Sequence, residues 1–183
     1  MCNRCKWVNP SNPKYIKYHD SEWGVPLHSE CELFELLILE GFQAGLSWEC
    51  VLNKREDFRA AFDNFDVNKV ASYDDKKLVS LLDDSRIIRN KRKIFASVKN
   101  AIVFKEIQIE FGTFDKYIWS FTDYKTVFED YSTRTTSPLS DTISKDLKKR
   151  GMSFVGSTII YSYLQAIGII YAHGKECDLY KGN

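Results

Sequence analysis

The stretch that decides the fold is Ser29-Glu30-Cys31-Glu32-Leu33-Phe34-Glu35-Leu36-Leu37-Ile38-Leu39-Glu40-Gly41, residues 29–41. Ser29 is followed three residues later by Glu32, which is the pattern of a helix capping box. Behind this box, apolar side chains recur at the spacing of one helix face, at Leu33, Phe34, Leu37, Ile38 and Gly41. The stretch therefore predicts a helix that begins at Ser29 and packs one apolar face into a core.

Helical signals recur along the rest of the chain, and strand signals are scarce. Helices are predicted at 47–62, from the cap Asp74 through Leu82, from about Asn90 to Lys105, and at 114–121, 140–151 and 157–170. The polar stretch 122–139 contains Pro138 and predicts a long loop. Residues 155–160 are β-prone, but the helical spacing around them favours a helix. The chain is therefore predicted to be all-α, as a single domain over residues 1–183.

Length and composition favour an ordinary globular chain. At 183 residues, about 70% of the unfolded surface is expected to be buried on folding. Hydrophobic residues make up 44% and charged residues 28%, which argues against disordered, collagen-like and membrane classes. The longest apolar runs fall well short of the ~20 residues that span a bilayer. The first residues have no apolar segment behind them, so no secretory signal is expected. The net charge of +1 indicates no partner by itself.

The cysteines favour thiols or metal ligands over disulfides, because their number, five, is odd and no secretory context is indicated. His173 and Cys177 lie four residues apart, a spacing that suits two ligands of one metal, although a chance pair is the simpler interpretation of these two alone. Cys2, Cys5 and His19 supply further ligand types near the other terminus. Two ligands from each end would make a structural zinc site. Spacing does not choose between Cys2 and Cys5, nor does it exclude a set that uses both with His173 and Cys177.

Two further groups of residues have both a structural and a functional interpretation. Glu40 ends an apolar helix and is followed by Gly41 and Gly45, so it is either an exposed helix-end charge or a carboxylate facing a pocket. Tyr15, Tyr18 and Trp23 surround His19 in the sequence. Such aromatic residues usually belong to a core, but ring faces are also how proteins hold nucleobases.

A basic run spans residues 86–93 and precedes a predicted helix. Its cations are Arg86, Arg89, Lys91, Arg92 and Lys93. A solvated face is the usual interpretation of such a run. However, cations near a helix N-terminus oppose the helix dipole, and a docked phosphate would relieve that repulsion. Contact between this run and a nucleic-acid backbone is therefore as good a hypothesis as a solvated face.

Taken together, these motifs resemble those of the 3-methyladenine DNA glycosylase I family, the constitutive bacterial alkylation-repair enzymes. The most specific blocks are Tyr18-His19-Asp20-Ser21-Glu22-Trp23-Gly24 and Gln43-Ala44-Gly45-Leu46-Ser47-Trp48. Further matches, in chain order, are 4–8, 87–89, 119–121, 147–151, 154–156 and His173 with Cys177. The resemblance covers essentially the whole chain.

This resemblance implies a fold of the helix-hairpin-helix glycosylase superfamily. The motif would occupy about residues 78–105, with its hairpin at about 83–90. The resemblance also implies a structural zinc ion, one per chain, that joins terminal segments at about 1–25 and 170–180. Its ligands would be Cys5, His19, His173 and Cys177, and Cys5 is preferred over Cys2 because the family's cysteine immediately precedes the x-Trp-Val that is here residues 6–8. Departures from the family pattern are a hairpin without glycine at 83–87 and Phe42 at an often polar position.

The family also implies roles for the candidate site residues. Trp48 would stack on an extruded purine, while Glu40 and Tyr18 would hydrogen-bond the edge of the base, with Glu40 as the catalytic candidate. Tyr15 and Trp23 would be further pocket walls. Gly45 and Leu46 would enter the gap that the extruded nucleotide leaves, and the basic run 86–93 would contact the DNA backbone.

The implied reaction is hydrolytic release of 3-methyladenine from double-stranded DNA. The methylated base is cationic, so its departure neutralises a charge and needs no general acid. A monomer in the bacterial cytoplasm, acting at the nucleoid without a membrane partner, is expected. Two alternatives from other classes are a zinc hydrolase with Glu40 as its base and a non-enzymatic zinc-stapled DNA-binding module.

Overall fold

The computed structural model describes residues 3–129 and 134–181 of the chain. These residues are mostly helical, which confirms the all-α prediction. The elements in chain order are α1 (Pro13–Ser21), α2 (Glu30–Gln43), α3 (Trp48–Asn53), α4 (Arg55–Ala61), a 3-10 turn (Asp63–Phe65), α5 (Val67–Ala71), α6 (Asp75–Asp83), α7 (Lys91–Phe111), α8 (Phe114–Ser120), β1 (Val127–Phe128), α9 (Pro138–Lys149), α10 (Ser157–Ala166) and β2 (Ile170–Tyr171). The two short strands pair in parallel.

Helix α2 lies at the centre of the fold. It packs against α3, α7, α8 and α10, and every residue from Leu33 to Phe42 is buried. The predicted single apolar face is therefore too narrow, because neighbours cover this helix on all sides. Ser29 occupies the N-cap position, but its side chain makes no capping hydrogen bond. Glu30 instead accepts hydrogen bonds from the backbone N–H groups of Phe114 and Asp115, so it caps the start of α8.

Most predicted helices are found, with altered ends. The predicted helix 47–62 divides at Lys54 into α3 and α4. The side chains of Asp74 and Asn90 cap α6 and α7, as predicted. Helix α9 begins at Pro138 rather than at Ser140, because proline is well suited to the first turn and Ser137 forms a capping box with Ser140. Helix α10 ends at Ala166. Helices α1 and α5 are additional to the prediction, and β1 interrupts the predicted loop 122–139.

The turn between α6 and α7 explains how a glycine-free hairpin is possible. No residue from 83 to 90, all of which the structure describes, has a positive φ, so no position requires glycine. The carboxylate of Asp84 accepts hydrogen bonds from the backbone N–H and the guanidinium of Arg86, which closes the turn with a side chain. Arginine and aspartate thus stabilise the turn conformation locally.

The segment that follows α1 packs closely against the backbone at Gly168. Gly168 has a φ of +74°, and a Cβ there would lie 2.4 Å from the carbonyl carbon of Val25. On either side, Gly24 donates a hydrogen bond to the carbonyl of Gln165, and Leu27 donates to that of Ile167. This crossing brings the end of α1 next to the segment that follows β2. In the part of the chain that is described, no helix combines the length and apolarity needed to cross a membrane.

Gly168→Ala should destabilise the protein, because the new methyl group would collide with backbone atoms and the left-handed φ would add strain. We expect a loss of about 3 kcal/mol, combining strain and overpacking, and a lower melting temperature by roughly 6–12 °C. Gly156→Ala is the matched control, since open space surrounds a Cβ at that position. Thermal unfolding followed by circular dichroism measures both. Equal melting temperatures for the two variants would contradict the close crossing.

Candidate active site and metal centre

Four side chains from the two ends of the chain meet in one buried cluster. Cys5, His19, His173 and Cys177 are all buried, and one potential ligand atom from each lies within 4.8 Å of all the others. The Sγ of Cys177 is 3.5 Å from Nε2 of His19 and 3.4 Å from Nδ1 of His173. The Sγ of Cys5 is 3.7 Å from Nδ1 of His173. Cys2 lies outside the described residues.

These distances match the edges of a zinc tetrahedron. With Zn–S near 2.3 Å and Zn–N near 2.05 Å, tetrahedral geometry places sulfur and nitrogen about 3.6 Å apart. Each of the three measured sulfur–nitrogen separations lies within about 0.2 Å of that edge. Two thiols and two imidazoles are also a common donor set for structural zinc. The cluster therefore fits this ion in chemistry and in geometry.

The second nitrogen of each imidazole has its own partner, which fixes the orientation of the ring. Nδ1 of His19 is 2.8 Å from Oδ1 of Asp20, and Arg4 donates two hydrogen bonds to Oδ2 of that aspartate, at 3.0 and 2.6 Å. The guanidinium of Arg4 lowers the pKa of Asp20 to about 2. Nε2 of His173 is 3.3 Å from the carbonyl oxygen of Trp23. Burial, followed by the neighbouring His19, lowers the pKa of His173 to about 4, so this imidazole is neutral and able to act as a ligand.

A second group of buried polar atoms lies around Glu40. The Glu40 side chain comes from α2, is 3% exposed, and its Oε2 has no hydrogen-bond partner among the described residues. Burial raises the pKa of this carboxyl to about 8. The indole N–H of Trp48, on α3, is also buried without a partner among the described residues. Two orphaned polar groups of this kind cost free energy of folding, which indicates a site built for a ligand.

Helix α1 supplies the aromatic walls beside these atoms. The ring centroids of Tyr18 and Trp48 are 5.3 Å apart and their planes are tilted by 48°. Burial and then the charge of Glu40 raise the pKa of the Tyr18 hydroxyl well above its usual value. Burial raises the pKa of Tyr15 to about 12, with contributions from Glu49 and Glu40. Both tyrosines are therefore neutral and close enough to feel the carboxylate. The arrangement suits a flat, cationic ring with hydrogen-bond donors.

Trp23 lies at the metal cluster. Its ring centroid is 4.7 Å from that of His173 and 6.1 Å from that of His19. Trp7, which the sequence analysis did not assign, packs against Trp23 at 4.9 Å and against Tyr15 at 5.2 Å. A role for Trp23 as a wall of the pocket stays a prediction. The only signal for Trp7 was its place in the stretch 4–8.

Between α2 and α3 the chain forms an exposed loop. Gly45 has a φ of +79°, a Cβ at this position would meet no atom within 4 Å, and Leu46 is 44% exposed. The Ser47 hydroxyl then accepts a hydrogen bond from the backbone N–H of Cys50 and begins α3. The exposed Leu46 side chain therefore lies two residues before Trp48, and an exposed apolar side chain at this position is what a DNA wedge would require.

A model of the methyladenine glycosylase family matches residues 7–181 of the chain. The chain belongs to this family. It is 44% identical to DNA-3-methyladenine glycosylase 1 of Escherichia coli K12 over 184 residues, which cover 98% of each protein. Solved structures agree: a crystal structure of 3-methyladenine DNA glycosylase I superposes with a TM-score of 0.92 at 42% identity, covering 97% of this chain and 100% of that one.

A further structure similar to this member of the methyladenine glycosylase family contains the base itself. It is a tyrosine-to-phenylalanine variant of 3-methyladenine DNA glycosylase I in complex with 3-methyladenine. It superposes with a TM-score of 0.89 at 35% identity and covers 94% of this chain and 96% of that one.

The structure changes the interpretation of the basic run. Arg86, Arg89, Lys91 and Arg92 are exposed. Lys93 is 6% exposed, and its ammonium donates hydrogen bonds to the carbonyls of Phe42 and Ala44, at 2.7 and 2.6 Å. The prediction that Lys93 contacts a DNA backbone is therefore wrong, because this cation is already bound to the C-terminal carbonyls of α2. A sequence signal existed: Lys93, Ser97 and Asn100 recur at the spacing of one helix face.

A buried ion-pair network, which sequence analysis also missed, lies behind the pocket. Glu35 of α2 is 3% exposed and accepts hydrogen bonds from Arg55 and, at 3.1 Å, from Arg59. Arg55 also bonds Glu22, at 2.5 Å. Its positive charge acts to lower the pKa of Tyr18, which places the network next to the aromatic wall. Unlike Glu40, Glu35 forms ion pairs with two arginines.

Lys93→Met should destabilise the protein and loosen the loop 44–47, because two carbonyls at the end of α2 lose a charged donor. We expect a loss of about 2–4 kcal/mol, the range for buried acceptors left without partners. The control is Arg92→Met, its exposed neighbour, for which a change within about 0.5 kcal/mol is expected. Chemical denaturation and amide hydrogen exchange of residues 44–48 measure the two effects. Unchanged stability and exchange in Lys93→Met would show that this anchor is unimportant.

Proposed function

We propose that this member of the methyladenine glycosylase family is a base-excision repair enzyme. It extrudes 3-methyladenine from alkylated double-stranded DNA and releases the base by hydrolysis, leaving an abasic site. The observation that carries this proposal is the buried carboxyl of Glu40, whose Oε2 has no hydrogen-bond partner among the described residues, close to Tyr18, whose ring packs against Trp48. A cationic purine would supply both the charge and the hydrogen-bond donors that this carboxylate lacks.

The chemistry needs little from the protein beyond binding and electrostatics. The bond between C1′ of the deoxyribose and N9 of the base breaks, and its electron pair moves onto the base. The base leaves neutral because that pair cancels its positive charge, so no proton has to be donated. Water adds to the cationic sugar carbon and loses a proton. Groups that are negative and already in place stabilise this transition state most effectively.

Each pocket residue has a role in this scheme. Trp48 stacks on the extruded base, because a ring face recognises any purine. Glu40 accepts hydrogen bonds from the edge of the base and offers it a negative charge, while the Tyr18 hydroxyl bonds the same edge. Tyr15 and Trp23 complete the walls. Burial raises the pKa of Glu40 to about 8 in the free protein, and the binding of a cation lowers it, so the carboxyl ionises when the cationic base binds.

Extrusion requires contacts with the rest of the duplex. Gly45 and Leu46 enter the gap that the extruded nucleotide leaves, since they form the exposed tip beside Trp48. We infer that α6, the turn 84–90 and α7 form the helix-hairpin-helix motif of the fold. The exposed cations Arg86, Arg89, Lys91 and Arg92 contact phosphates around this turn. The protein acts as a monomer.

Cys5, His19, His173 and Cys177 hold one structural zinc ion. Four protein ligands complete a tetrahedral shell and leave no position for a reacting water, so the ion cross-links segments from both ends of the chain. The cross-link fixes His19 and thereby the helix that carries Tyr15 and Tyr18.

Glu40→Gln should slow excision of 3-methyladenine by ~10–100-fold, or about 1.4–2.7 kcal/mol, because glutamine keeps the shape and loses the charge. For the wild type, kcat/KM should rise with pH and level off above about pH 8, where burial places the pKa of Glu40 in the free enzyme. The variant should show no such rise. Single-turnover and steady-state release of base from methylated duplex, measured by chromatography, give both quantities.

The melting temperature of Glu40→Gln provides the control for its effect on the rate. Because burial raises the pKa of Glu40 above its unfolded value, ionisation costs folding free energy as the pH rises. Glu40→Gln should therefore melt higher than the wild type at pH 8. If the folded Glu40→Gln variant kept the wild-type rate and pH profile, the assignment of Glu40 to the base-binding site would be contradicted. A wild type that binds duplex and releases no base would favour a DNA-binding module instead.

Cys177→Ser should lose the zinc ion and melt at a much lower temperature, since the free energy of binding a structural metal is part of the free energy of folding. The matched control is Cys31→Ser, which changes an exposed thiol outside the cluster and should keep one zinc per chain. Elemental analysis and thermal unfolding measure both. Wild-type protein purified without zinc would contradict the proposal, as would a Cys5→Ser variant that keeps the metal.

A further inference from the structure

Helix α1, which carries Tyr15 and Tyr18, is held at both of its ends. In its last turn, His19 lies in the buried cluster of cysteines and histidines. At its start, Asn12 occupies the N-cap position, and its Oδ1 accepts hydrogen bonds from the backbone N–H groups of Lys14 and Tyr15, at 3.1 and 3.4 Å. The two tyrosines therefore lie between two fixed points of the helix.

The same Asn12 side chain joins α1 to α3. Its Nδ2 donates hydrogen bonds to Oε1 of Glu49 at 2.8 Å and to Oδ1 of Asn53 at 3.0 Å. The two acceptors are four residues apart, so they lie on one face of α3. Asparagine suits this position because its amide oxygen can cap one helix while its amide nitrogen donates to another.

Two further side chains strengthen this contact between the helices. Nδ2 of Asn9 donates to the same Oε1 of Glu49, also at 2.8 Å, and Nζ of Lys14 donates to the backbone carbonyl of Asn53 at 3.2 Å. Glu49 is the centre of the arrangement, because one of its oxygens accepts from two side chains. We call these five residues the α1–α3 clamp: Asn9, Asn12, Lys14, Glu49 and Asn53.

The clamp lies beside the walls of the proposed base pocket. Glu49 directly follows Trp48, whose ring centroid is 5.3 Å from that of Tyr18. Asn12 precedes Tyr15 by three residues, and burial followed by the charge of Glu49 raises the pKa of Tyr15 to about 12. A hydrogen-bonded bridge thus joins the helix that carries the tyrosines to the helix that carries the indole, next to the rings themselves.

The relative position of these two helices matters for the proposed reaction. A base that stacks on Trp48 and hydrogen-bonds Tyr18 needs both groups in place at once, and a misplacement of about 1 Å can slow a reaction by about 100-fold. Both side chains that donate to Glu49 are neutral amides. Their hydrogen bonds therefore fix the geometry of the contact without neutralising a charge.

We propose that Glu49 is a positioning residue, which holds the start of α1 against α3 and thereby fixes the Trp48 ring relative to Tyr15 and Tyr18. The inference rests on the proposed function. Glu49 needs no contact with the base in this role, because it acts through the two helices. The property that matters is an oxygen that accepts two hydrogen bonds, so a neutral acceptor of the same shape should replace it.

The first test measures single-turnover release of 3-methyladenine from methylated duplex, with protein in excess so that the rate reports the step after binding. Glu49→Ala should slow release by about tenfold. Glu49→Gln should recover most of that rate, because glutamine keeps an oxygen that can accept both hydrogen bonds. The matched control is Glu106→Ala, which removes the same charge from an exposed position of α7 and should leave the rate unchanged.

A second test leaves Glu49 in place and changes its partner. Asn12→Asp keeps the N-cap of α1, since aspartate caps helices as well as asparagine does, but it replaces the donor Nδ2 with an oxygen that repels the Glu49 carboxylate. Release should slow by about tenfold. Adding Glu49→Gln to this variant should restore part of the rate, because the repulsion is removed. Thermal unfolding establishes that each variant is folded at the assay temperature.

Two outcomes would overturn the inference alone. A Glu49→Gln variant as slow as Glu49→Ala would show that the charge of Glu49 acts on the cationic base. Wild-type rates in both Glu49→Ala and Asn12→Asp would show that the clamp serves only the fold. In both cases release of base by the wild type would still support the proposed function. A wild type that releases no base from methylated duplex would overturn the proposed function and this inference with it.

Discussion

The burial of α2 on all sides is the constraint on which the rest of the structure depends, because it carries two carboxylates into the core. Glu35 and Glu40 are each 3% exposed. Glu35 is neutralised by Arg55 and Arg59, which makes it part of the scaffold. Glu40 has an oxygen with no partner among the described residues and a pKa of about 8. Helix α2 thus stabilises the fold through the ion pairs of Glu35. Its second buried carboxyl, that of Glu40, has an oxygen without a partner among the described residues, and a cationic base can supply one.

The pocket and the metal cluster share helix α1, so neither is independent of the other. Tyr18 and His19 are adjacent, and the first packs on Trp48 while the second joins the cluster. Trp7 connects the two sides again, since its ring contacts both Tyr15 and His19. In the proposed function, a metal bound by this cluster would determine the position of two pocket walls without taking part in the chemistry.

Periodicity and caps predicted much of the fold from sequence, and the failures have physical causes. Asp74 and Asn90 were recognisable because an N-cap acts locally. Lys93 was not, because a lysine in a basic run is normally solvated and only the tertiary structure brings the end of α2 to it. The Ser29–Glu32 capping box was also wrong, because the Ser29 side chain makes no capping hydrogen bond although Ser29 occupies the N-cap position. The family motifs predicted the candidate pocket residues, whereas spacing alone left Glu40 undecided between surface and pocket.

In the proposed function, helix α7 would link contact with the duplex to the position of the base through two consecutive residues, Arg92 and Lys93. Arg92 is exposed to solvent, while the buried Lys93 donates hydrogen bonds to the carbonyls of Phe42 and Ala44. Those carbonyls end the helix that carries Glu40 and begin the loop that carries Leu46, so Lys93 ties the start of α7 to both. DNA bound to the start of α7 would therefore be coupled mechanically to the proposed wedge loop and to the helix that carries Glu40. Such coupling needs no conformational change, only stiffness, and the buried lysine supplies it.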